Sequence, residues 1–245
     1  MMYRDLFSSL AQQYARFRPS YPEELFIWIA NNCNATKLAW DCACGSGQAT
    51  TLLASRFDRV IATDSSLEQI SHAPALGNVE YRIEPSEHTL LQSSSVDCII
   101  VAQAIHWFAL EEFYAEARRV LAPTGLIVVF SYQEFTCGDD FLMQHINAFK
   151  KTIKPYWDPA RKMVDSGYSS LPFPFTRITP PSFTMRTSWT KEQIVGYLST
   201  WSAHKHYTQM TNHSLVADLA IALESIDNKN YELNWPLTII AGTKN

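Results

Sequence analysis

Short apolar runs alternate with helical patterns over the first half of this chain, and this alternation limits its possible folds more than any other feature. These runs lie at residues 38–43, 59–63, 79–83, 96–102 and 126–131, and the third alternates apolar and polar residues as a strand does. Helices are predicted after the first, second and fourth runs, over 49–57, 67–73 and 110–121. Parallel strands need crossover connections, which helices usually supply. The pattern therefore predicts an α/β fold with a doubly wound sheet.

The pattern changes after the fifth apolar run. Residues 132–181 are rich in aromatic residues and proline, and aromatic residues make up 13% of the whole chain. Later runs at 183–189 and 237–242 predict strands, and Thr190 is the expected N-cap of a helix over 190–201. The rings either form a water-excluding lid over a binding site or pack a segment that lacks regular elements. The sequence leaves both interpretations open.

A turn of small residues follows the first predicted strand, in the segment WDCACGSGQ at residues 40–48. Small residues let the backbone approach a ligand closely, and amides at the start of the next helix can face a polar or anionic group. Asp64 ends the second predicted strand, 17 residues after Gly47. Its carboxylate should lie beside the turn and accept hydrogen bonds from ribose hydroxyls. These features predict a ligand that contains adenosine.

Two residues decide which adenosine ligand is favoured. Thr50 stands where the dinucleotide-binding fingerprint has its third glycine, and no phosphate-binding P-loop motif is present. Asp41 lies four residues before Gly45, where its carboxylate would repel a pyrophosphate. It would favour a ligand with positive charge instead. S-adenosylmethionine carries an ammonium and a sulfonium and no phosphate, so it is the predicted ligand.

These same motifs resemble those of class I S-adenosylmethionine-dependent methyltransferases, and the resemblance covers essentially the whole chain. It rests on DCACGSG at 41–47, Asp64, and RVLAPTG at 119–125. One departure is Ala43, where glycine is commoner. A narrower resemblance is to the subgroup that includes trans-aconitate methyltransferase and the cantharidin-resistance methyltransferase of yeast. Its marks are Tyr14 with RPSYP at 18–22, AQAIHWF at 102–108, WDPARKMVDSGY at 157–168 and LPFPF at 171–175.

The resemblance implies a set of cofactor-binding residues and a seven-stranded sheet whose last strand is antiparallel. The turn residues should line the methionine end of the cofactor, and the acidic residue after the second strand should hold the ribose. The residues after the third strand should meet the adenine amine, and those after the fourth should approach the methionine amine or the methyl group. The implied residues are Tyr14, Asp41, Ala43, Gly45, Gly47, Asp64, Ser65, Ser86, Glu87, Gln103 and Ala104.

The candidate substrate residues each have a functional and a structural interpretation. His106 follows the fourth strand, where substrates of this class enter, and is either a general base or hydrogen-bonding group or a histidine that fixes the loop. Trp107 either contacts the substrate or cofactor or serves only as part of the wall or core of the site. Arg18 either pairs with a substrate carboxylate or pins the N-terminal segment to the domain. Arg161 either binds an anionic group or forms a structural salt bridge. Trp157 belongs to the segment that the resemblance places over the active site.

The composition of the chain limits the binding partners and the cellular location that we expect for the protein. The net charge of −4 gives no electrostatic reason to expect nucleic acid. No run of 18 uncharged apolar residues is present, so no membrane span is expected. The start of the sequence lacks a signal-peptide pattern, which predicts a cytoplasmic protein. The five cysteines do not have zinc-site spacing, and no ligand set surrounds the histidines at 204 and 206, so no metal is predicted.

Together these features predict a single domain that methylates a small molecule. We divide it into an N-terminal helical cap (1–30), a cofactor-binding half (31–131), a substrate-side insert (132–207) and a closing helix with the last strand (208–245). The methyl group is expected to go to oxygen, with a carboxylate as a candidate acceptor, and His106 is the candidate catalytic residue. The alternatives are a non-catalytic module that binds S-adenosylmethionine and a methyltransferase that acts on protein or RNA. An NAD-linked oxidoreductase is disfavoured by Thr50.

Overall fold

The computed structural model describes residues 18–244. Nine strands occur in this range: β1 (Leu38–Cys42), β2 (Arg59–Asp64), β3 (Val79–Ile83), β4 (Val96–Ala102), β5 (Leu121–Tyr132), β6 (Thr136–Cys137), β7 (Thr176–Ile178), β8 (Thr184–Trp189) and β9 (Tyr231–Thr243). They form a sheet in the order β3-β2-β1-β4-β5-β9-β6, and β7 and β8 also pair with β9.

Helices and single 3-10 turns connect the strands. The α-helices of the described range are α1 (Glu23–Asn31), α2 (Gln48–Ala54), α3 (Leu67–Ser71), α4 (Leu110–Val120), α5 (Asp140–Ile153), α6 (Arg161–Asp165), α7 (Lys191–Ser199), α8 (Ser202–Thr211) and α9 (Leu215–Ala222). The 3-10 turns are Ile105–Trp107 and Lys154–Tyr156. Between residues 18 and 244, no helix is long and apolar enough to cross a membrane.

The predicted doubly wound sheet is confirmed. Strands β1 to β5 are parallel to their neighbours, and β9 runs antiparallel to β5, with Val128 opposite Ala241. The order of strands reverses between β1 and β4. In open α/β sheets, ligands bind beside the carboxyl ends of the strands at such a reversal. The turn after β1 and the loop after β4 both lie at that point.

The sheet is larger than the seven strands that the resemblance implies, because β6 and β7 add short pairings to β9. Segments of two or three residues carry no usable periodicity, so the sequence could not predict them. The last strand also begins at Tyr231 rather than 237. Tyr231, Leu233 and Trp235 are buried and alternate with more exposed residues where β9 pairs with β8. The continuous apolar run at 237–242 predicts only the second half of this strand, because the alternating first half contains no such run.

Two apolar cores cover the two faces of the sheet. Ala39, Val60 and Ile100 belong to one core, while Trp40 and Ile99 belong to the other. Because both faces are covered, the central strands are almost continuously apolar, as in other parallel sheets. The frame that holds the turn after β1 is therefore rigid.

Most rings of the aromatic insert pack into these cores. Tyr114 of α4 donates a hydrogen bond to the carbonyl of Pro172 at 2.6 Å, and its ring centroid lies 5.9 Å from that of Phe175. On the other face, Trp235 packs against Trp189 at a centroid distance of 5.4 Å. The packing interpretation therefore applies to most of the insert, and only a few of its rings reach the site.

Two predicted ends of helices can be compared with the structure. The capping box of α7 is confirmed, because the Gln193 amide donates to Thr190 Oγ1 and the Thr190 amide donates to Gln193 Oε1. Of the two helical pieces predicted over 5–31, the second is α1 and the first lies outside the described residues.

Candidate active site

The turn between β1 and α2 is coiled tightly. Ala43, Gly45 and Gly47 all have left-handed backbone conformations, with φ values of 58°, 56° and 81°. A residue with a Cβ atom costs free energy in the left-handed backbone conformation, which gives a physical reason for glycine to be commoner at the position of Ala43. Internal hydrogen bonds hold the turn in this shape, since the Cys44 amide donates to the Thr63 carbonyl at 2.9 Å and the Gly47 amide donates to the Cys44 carbonyl at 3.0 Å.

Asp64 fixes this turn to the end of β2. Its Oδ2 accepts a hydrogen bond from the Gly45 amide at 2.9 Å, and its Oδ1 accepts one from the Ser66 amide at 2.8 Å. Burial raises the pKa of the Asp64 carboxyl, and these two bonds partly oppose that rise. The carboxylate is therefore held in one orientation beside the glycine turn.

Asp41 lies behind the turn rather than at its surface. It is fully buried, and Thr50 Oγ1 donates a hydrogen bond to its Oδ2 at 2.6 Å. Its Oδ1 has no partner among the residues described. Burial raises the pKa of Asp41 to about 7, opposed by the bond from Thr50 and increased by the charge of Asp64. A buried acceptor without a partner is costly unless a ligand satisfies it.

The raised pKa predicts an unusual effect of Asp41→Asn on stability. Between pH 4 and 7 the folded protein holds a proton on Asp41 that the unfolded chain has lost, so stability falls as pH rises through this window. We expect Asp41→Asn to increase the free energy of unfolding at pH 8 by about 2 kcal/mol without ligand. Urea titrations of both proteins measure this. At pH 4 the two should differ little, and a less stable variant at pH 8 would contradict the prediction.

Gly47 also faces away from the open side of the turn. A Cβ atom built on it would lie 2.9 Å from Tyr81 Oη and 3.0 Å from Pro74 Cδ. With this contact and its φ of 81°, we expect Gly47→Ala to lower the free energy of unfolding by about 2 kcal/mol. Gly77→Ala is the matched control, because a Cβ atom there meets nothing within 4 Å. Equal urea midpoints for the two variants would contradict this prediction.

A cavity of about 600 Å³ opens in front of the turn, at the reversal of the strand order. We call it the large cavity. Its lining residues are Tyr21, Ala43, Cys44, Gly45, Ser46, Gln48, Ala49, Asp64, Ser65, Ser66, Gln69, Glu84, Pro85, Ser86, Glu87, Ala102, Gln103, Ala104, His106, Trp107, Phe108, Asp158 and Ala160. Most of the predicted cofactor residues meet here. Asp41 and Gly47 do not line it, and Tyr14 lies outside the described residues.

A second cavity of about 110 Å³ adjoins the first, and we call it the small cavity. It is lined by Arg18, Gln103, His106, Trp107, Tyr132, Gln133, Glu134, Trp157, Asp158, Arg161, Val164, Tyr197, Thr200, Trp201 and Ser202. All the residues predicted to meet a substrate, from Arg18 to Arg161, line this space. The sequence missed Tyr132, Tyr197 and Asp158, which distant segments bring together.

Four residues line both cavities and form the junction between them: Gln103, His106, Trp107 and Asp158. Gln103 has a left-handed φ of 59°, and its buried Nε2 has no partner in the described range. His106 Nδ1 is likewise buried without a partner there. Strained backbone and unsatisfied polar atoms concentrate at sites that await a ligand.

His106 stays neutral over the physiological range. Burial lowers the pKa of its imidazole to about 4, helped by the charge of Arg161 and opposed by that of Asp158. Its ring lies 4.7 Å from that of Trp107, centroid to centroid. A neutral imidazole with so low a pKa can exchange hydrogen bonds with a ligand but is a weak proton acceptor.

Two arginines line the small cavity. The guanidinium of Arg161 stacks on the Trp157 ring at 3.8 Å, and its Nε contacts Asp165 Oδ1 at 3.1 Å. Arg18 donates to the hydroxyl of Tyr132, and its Cζ lies 5.3 Å from the centroid of the Tyr197 ring. Arg161 is therefore held by ring stacking and an ion pair, and Arg18 by a hydrogen bond and a ring contact, so both guanidinium groups lose little conformational entropy when they bind an anion.

The two cavities differ in charge. The large cavity has four carboxylates in its lining, from Asp64, Glu84, Glu87 and Asp158, and none of the described residues that line it is a lysine or arginine. The small cavity has both arginines and two carboxylates, from Glu134 and Asp158, and Glu134 is paired with Lys150 at 3.0 Å. The large cavity thus favours a ligand with positive charge, and of the two cavities only the small one offers cationic side chains to an anionic group among its described lining residues.

This arrangement fits S-adenosylmethionine. The four carboxylates of the lining suit a cation, and the coiled turn allows a close backbone approach. A pyrophosphate would meet four carboxylates and no compensating cation among the described lining residues. Between residues 18 and 244, no group of three or more histidine, cysteine, aspartate or glutamate residues that could hold a metal ion is found.

Comparisons with known proteins agree with this geometry. A family model described as a methyltransferase domain matches residues 40–129. A Dictyostelium discoideum protein described as a methyltransferase is 34% identical over 98% of this chain and 95% of its own length. A Saccharomyces cerevisiae protein described as an S-adenosylmethionine-dependent methyltransferase is 32% identical over 49% of this chain and 44% of its own. A solved structure from Anaeromyxobacter dehalogenans, described as a type II methyltransferase, has a TM-score of 0.86 and 37% identity, covering 93% of this chain and 98% of that one.

Proposed function

Since this chain belongs to the class I S-adenosylmethionine-dependent methyltransferases, we propose that it methylates a carboxylate oxygen of a small molecule. The enzyme class and the cofactor, S-adenosylmethionine, follow from the family. The acceptor is our proposal, and the charge difference between the two cavities carries it. A carboxylate in the small cavity would lie between Arg18 and Arg161 and point toward the junction.

We further propose roles for the residues of the large cavity. Asp64 would accept hydrogen bonds from the ribose while it holds the glycine turn, and Ser65 would lie near the adenine. Ser86 and Glu87 would meet the adenine amine, although Glu87 also accepts a hydrogen bond from the Ala109 amide at 3.1 Å. Asp41 would attract the ammonium group from behind the turn. These assignments rest on the resemblance and on the positions described above.

The narrower subgroup is part of the proposal. Its supports are the string at 102–108, which provides three of the four junction residues, and the arginine of the string at 18–22, which reaches the small cavity. Gln48, at the start of α2, holds that segment by donating a hydrogen bond to the Pro19 carbonyl at 2.6 Å. Arg18 of this segment would thus contribute to the proposed acceptor site.

Methyl transfer to a carboxylate requires the protein mainly to align the two reactants and to exclude water. When bound, S-adenosylmethionine supplies a methyl group that is already activated by the positive charge on sulfur. A carboxylate oxygen needs no base, so the protein has only to align that oxygen and exclude water. Arg18 and Arg161 would orient the carboxylate, while Gln103 Nε2 and His106 offer hydrogen bonds at the junction. Trp107 would cover the junction.

The low pKa of His106 leads to a test of its role. Above about pH 5 the imidazole is neutral, so kcat with saturating cofactor should not show an ionisation of His106 between pH 6 and 8. We expect His106→Asn, which keeps hydrogen-bonding capacity, to lower kcat by less than about tenfold for a carboxylate acceptor. Steady-state rates over pH 5–8 measure both effects. A loss of a thousandfold that also removes an ionisation near pH 6.5 would show that His106 is a general base.

Two experiments test the proposed function. Isothermal titration calorimetry with S-adenosylmethionine and its demethylated product tests the cofactor, and no binding at millimolar ligand would contradict it. A turnover assay with methyl-labelled cofactor over carboxylic acids, phenols and amines tests the acceptor. We expect labelled methyl esters from the carboxylic acids. Turnover of phenols or amines alone would contradict a carboxylate acceptor, and binding without any turnover would favour a non-catalytic module.

A further inference from the structure

Tyr132 lines the small cavity, and the proposed function gives it no role. It is the last residue of β5, in which Phe130 is paired with Ala102 at the end of β4. The Gln103 amide donates a hydrogen bond to the Phe130 carbonyl at 2.9 Å, which holds the end of β5 against the loop that forms the junction. The sheet itself therefore positions Tyr132 next to the place where the two cavities meet.

The Tyr132 hydroxyl has a proton to offer. It accepts a hydrogen bond from Arg18, whose Cζ lies 6.0 Å from the centroid of the Tyr132 ring. A phenolic hydroxyl has one proton and two lone pairs, so this bond leaves the proton available. Among residues 18–244, no group accepts a hydrogen bond from this hydroxyl. Burial raises the pKa of Tyr132 to about 12, opposed by the charge of Arg18, so the hydroxyl remains a donor at physiological pH.

An acceptor oxygen that binds Arg18 would lie close to the Tyr132 hydroxyl, because both would accept hydrogen bonds from the same guanidinium group. A carboxylate has two oxygens with about four acceptor sites in all. One oxygen attacks the methyl group, and the other has to be held during the attack. A hydroxyl that accepts from a cation is polarised and is a stronger donor, which suits it to this second oxygen.

Tyr197 also lines the small cavity but is less suited to this contact. Only 2% of its surface is exposed, and its hydroxyl accepts a hydrogen bond from Trp235 Nε1 at 3.3 Å within the core. Its ring contacts the Arg18 guanidinium at 5.3 Å, so it supports that group by packing. Tyr132 is only partly buried, which makes it the better candidate for contact with a ligand.

We propose that Tyr132 is a specificity-determining residue whose hydroxyl donates a hydrogen bond to the acceptor carboxylate, at the oxygen that is not methylated. This inference rests on the proposed function, because it requires an acceptor carboxylate in the small cavity. Its consequence is a preference for acceptors with a second oxygen on the reacting group. The single oxygen of a phenol attacks the methyl group, so a phenol offers the Tyr132 hydroxyl no such partner.

Tyr132→Phe tests this proposal, because phenylalanine keeps the ring beside Arg18 and removes only the hydroxyl. The probe is the carboxylic acid that the wild-type protein methylates fastest in the labelled-methyl assay. We expect kcat/KM for this acid to fall about 20-fold, as for the loss of one hydrogen bond to a charged group. The affinity for S-adenosylmethionine, measured by calorimetry, should stay within about twofold, since Tyr132 does not line the large cavity.

Tyr231→Phe is the matched control. The Tyr231 hydroxyl donates to the Asp227 carbonyl at 2.8 Å, and this buried residue lines neither cavity. The variant loses a tyrosine hydrogen bond of the same kind away from the acceptor, so its kcat/KM should match that of the wild-type protein. Thermal melts of both variants show whether either substitution disturbs the fold.

A double-mutant cycle with Arg18→Met separates direct contact from an effect through Arg18. If Tyr132 donates to the acceptor, Tyr132→Phe should lower kcat/KM about tenfold or more in the Arg18→Met protein as well. Calorimetry of the same acid with protein saturated with S-adenosylhomocysteine measures the cycle without turnover.

The proposal is overturned if the loss disappears in the Arg18→Met protein, if Tyr132→Phe alone costs less than about threefold, or if Tyr231→Phe costs as much. Each of these outcomes leaves the proposed function intact. Wild-type protein that methylates no carboxylic acid would overturn the proposed acceptor itself, and this proposal with it.

Discussion

Replacing Asp64 with alanine is expected to weaken binding of S-adenosylmethionine about 100-fold or more, because the substitution removes the charge-assisted hydrogen bonds to the turn and those that we propose to the ribose. The carboxylate accepts the amides of Gly45 and Ser66, so its loss also releases the backbone that forms the floor of the large cavity. Isothermal titration calorimetry with S-adenosylmethionine and with S-adenosylhomocysteine measures the effect, and both ligands should lose affinity because both contain the ribose.

Asp58→Ala provides the control for this experiment. Asp58 is exposed and precedes the opposite end of the same strand, so its removal should leave both affinities unchanged. Thermal melts of the two variants separate loss of the ligand site from loss of the fold. Retention of cofactor affinity to within threefold in a folded Asp64→Ala protein would contradict the assigned role.

The second large effect concerns the acceptor. Arg161→Met is expected to lower kcat/KM for a carboxylate acceptor about 100-fold, because methionine removes the charged, planar partner of the carboxylate. The affinity for S-adenosylmethionine should stay within about threefold, since Arg161 does not line the large cavity. Arg161→Lys should give an intermediate loss, because lysine keeps the charge without the planar pair of donors.

Arg186→Met is the matched control for charge removal at an exposed arginine. Arg186 lies on β8, is exposed and lines neither cavity, so this variant should behave as wild type in the labelled-methyl assay. If Arg161→Met leaves the turnover of carboxylic acids unchanged, the arginine is structural and holds only Trp157 and Asp165. That outcome would leave Arg18 as the remaining candidate for the anion.

The carboxyl edge of the sheet was predictable because its residues follow strong local patterns. The apolar runs fix β1, β2 and β4, and parallel strands necessarily end at one edge, so Asp64 and Gln103 had to lie near the turn. The family resemblance then assigned them to a cofactor. Even here the sequence could not show that Asp41 is buried behind the turn, because burial depends on α2 packing over β1.

The small cavity was predictable only in part. Tyr132 ends β5, Tyr197 lies on α7 and Asp158 precedes α6, so only the tertiary packing of the insert brings them to one space. Asp158 also gave no local signal that distinguishes it from an ordinary turn residue. Long-range contacts of this kind leave no periodicity in a single sequence, which is why the acceptor site is harder to predict than the cofactor site.

Strand β9 has a consequence for the order in which the protein assembles during synthesis. It pairs with β5, β6, β7 and β8, all of which leave the ribosome before it. β5 ends at Tyr132 and β9 begins at Tyr231. The edge of β5 that β9 covers therefore stays unpaired while the intervening residues are translated. Unpaired edges of this kind invite pairing with other nascent chains. The nascent chain is therefore most open to such pairing in the interval before β9 emerges.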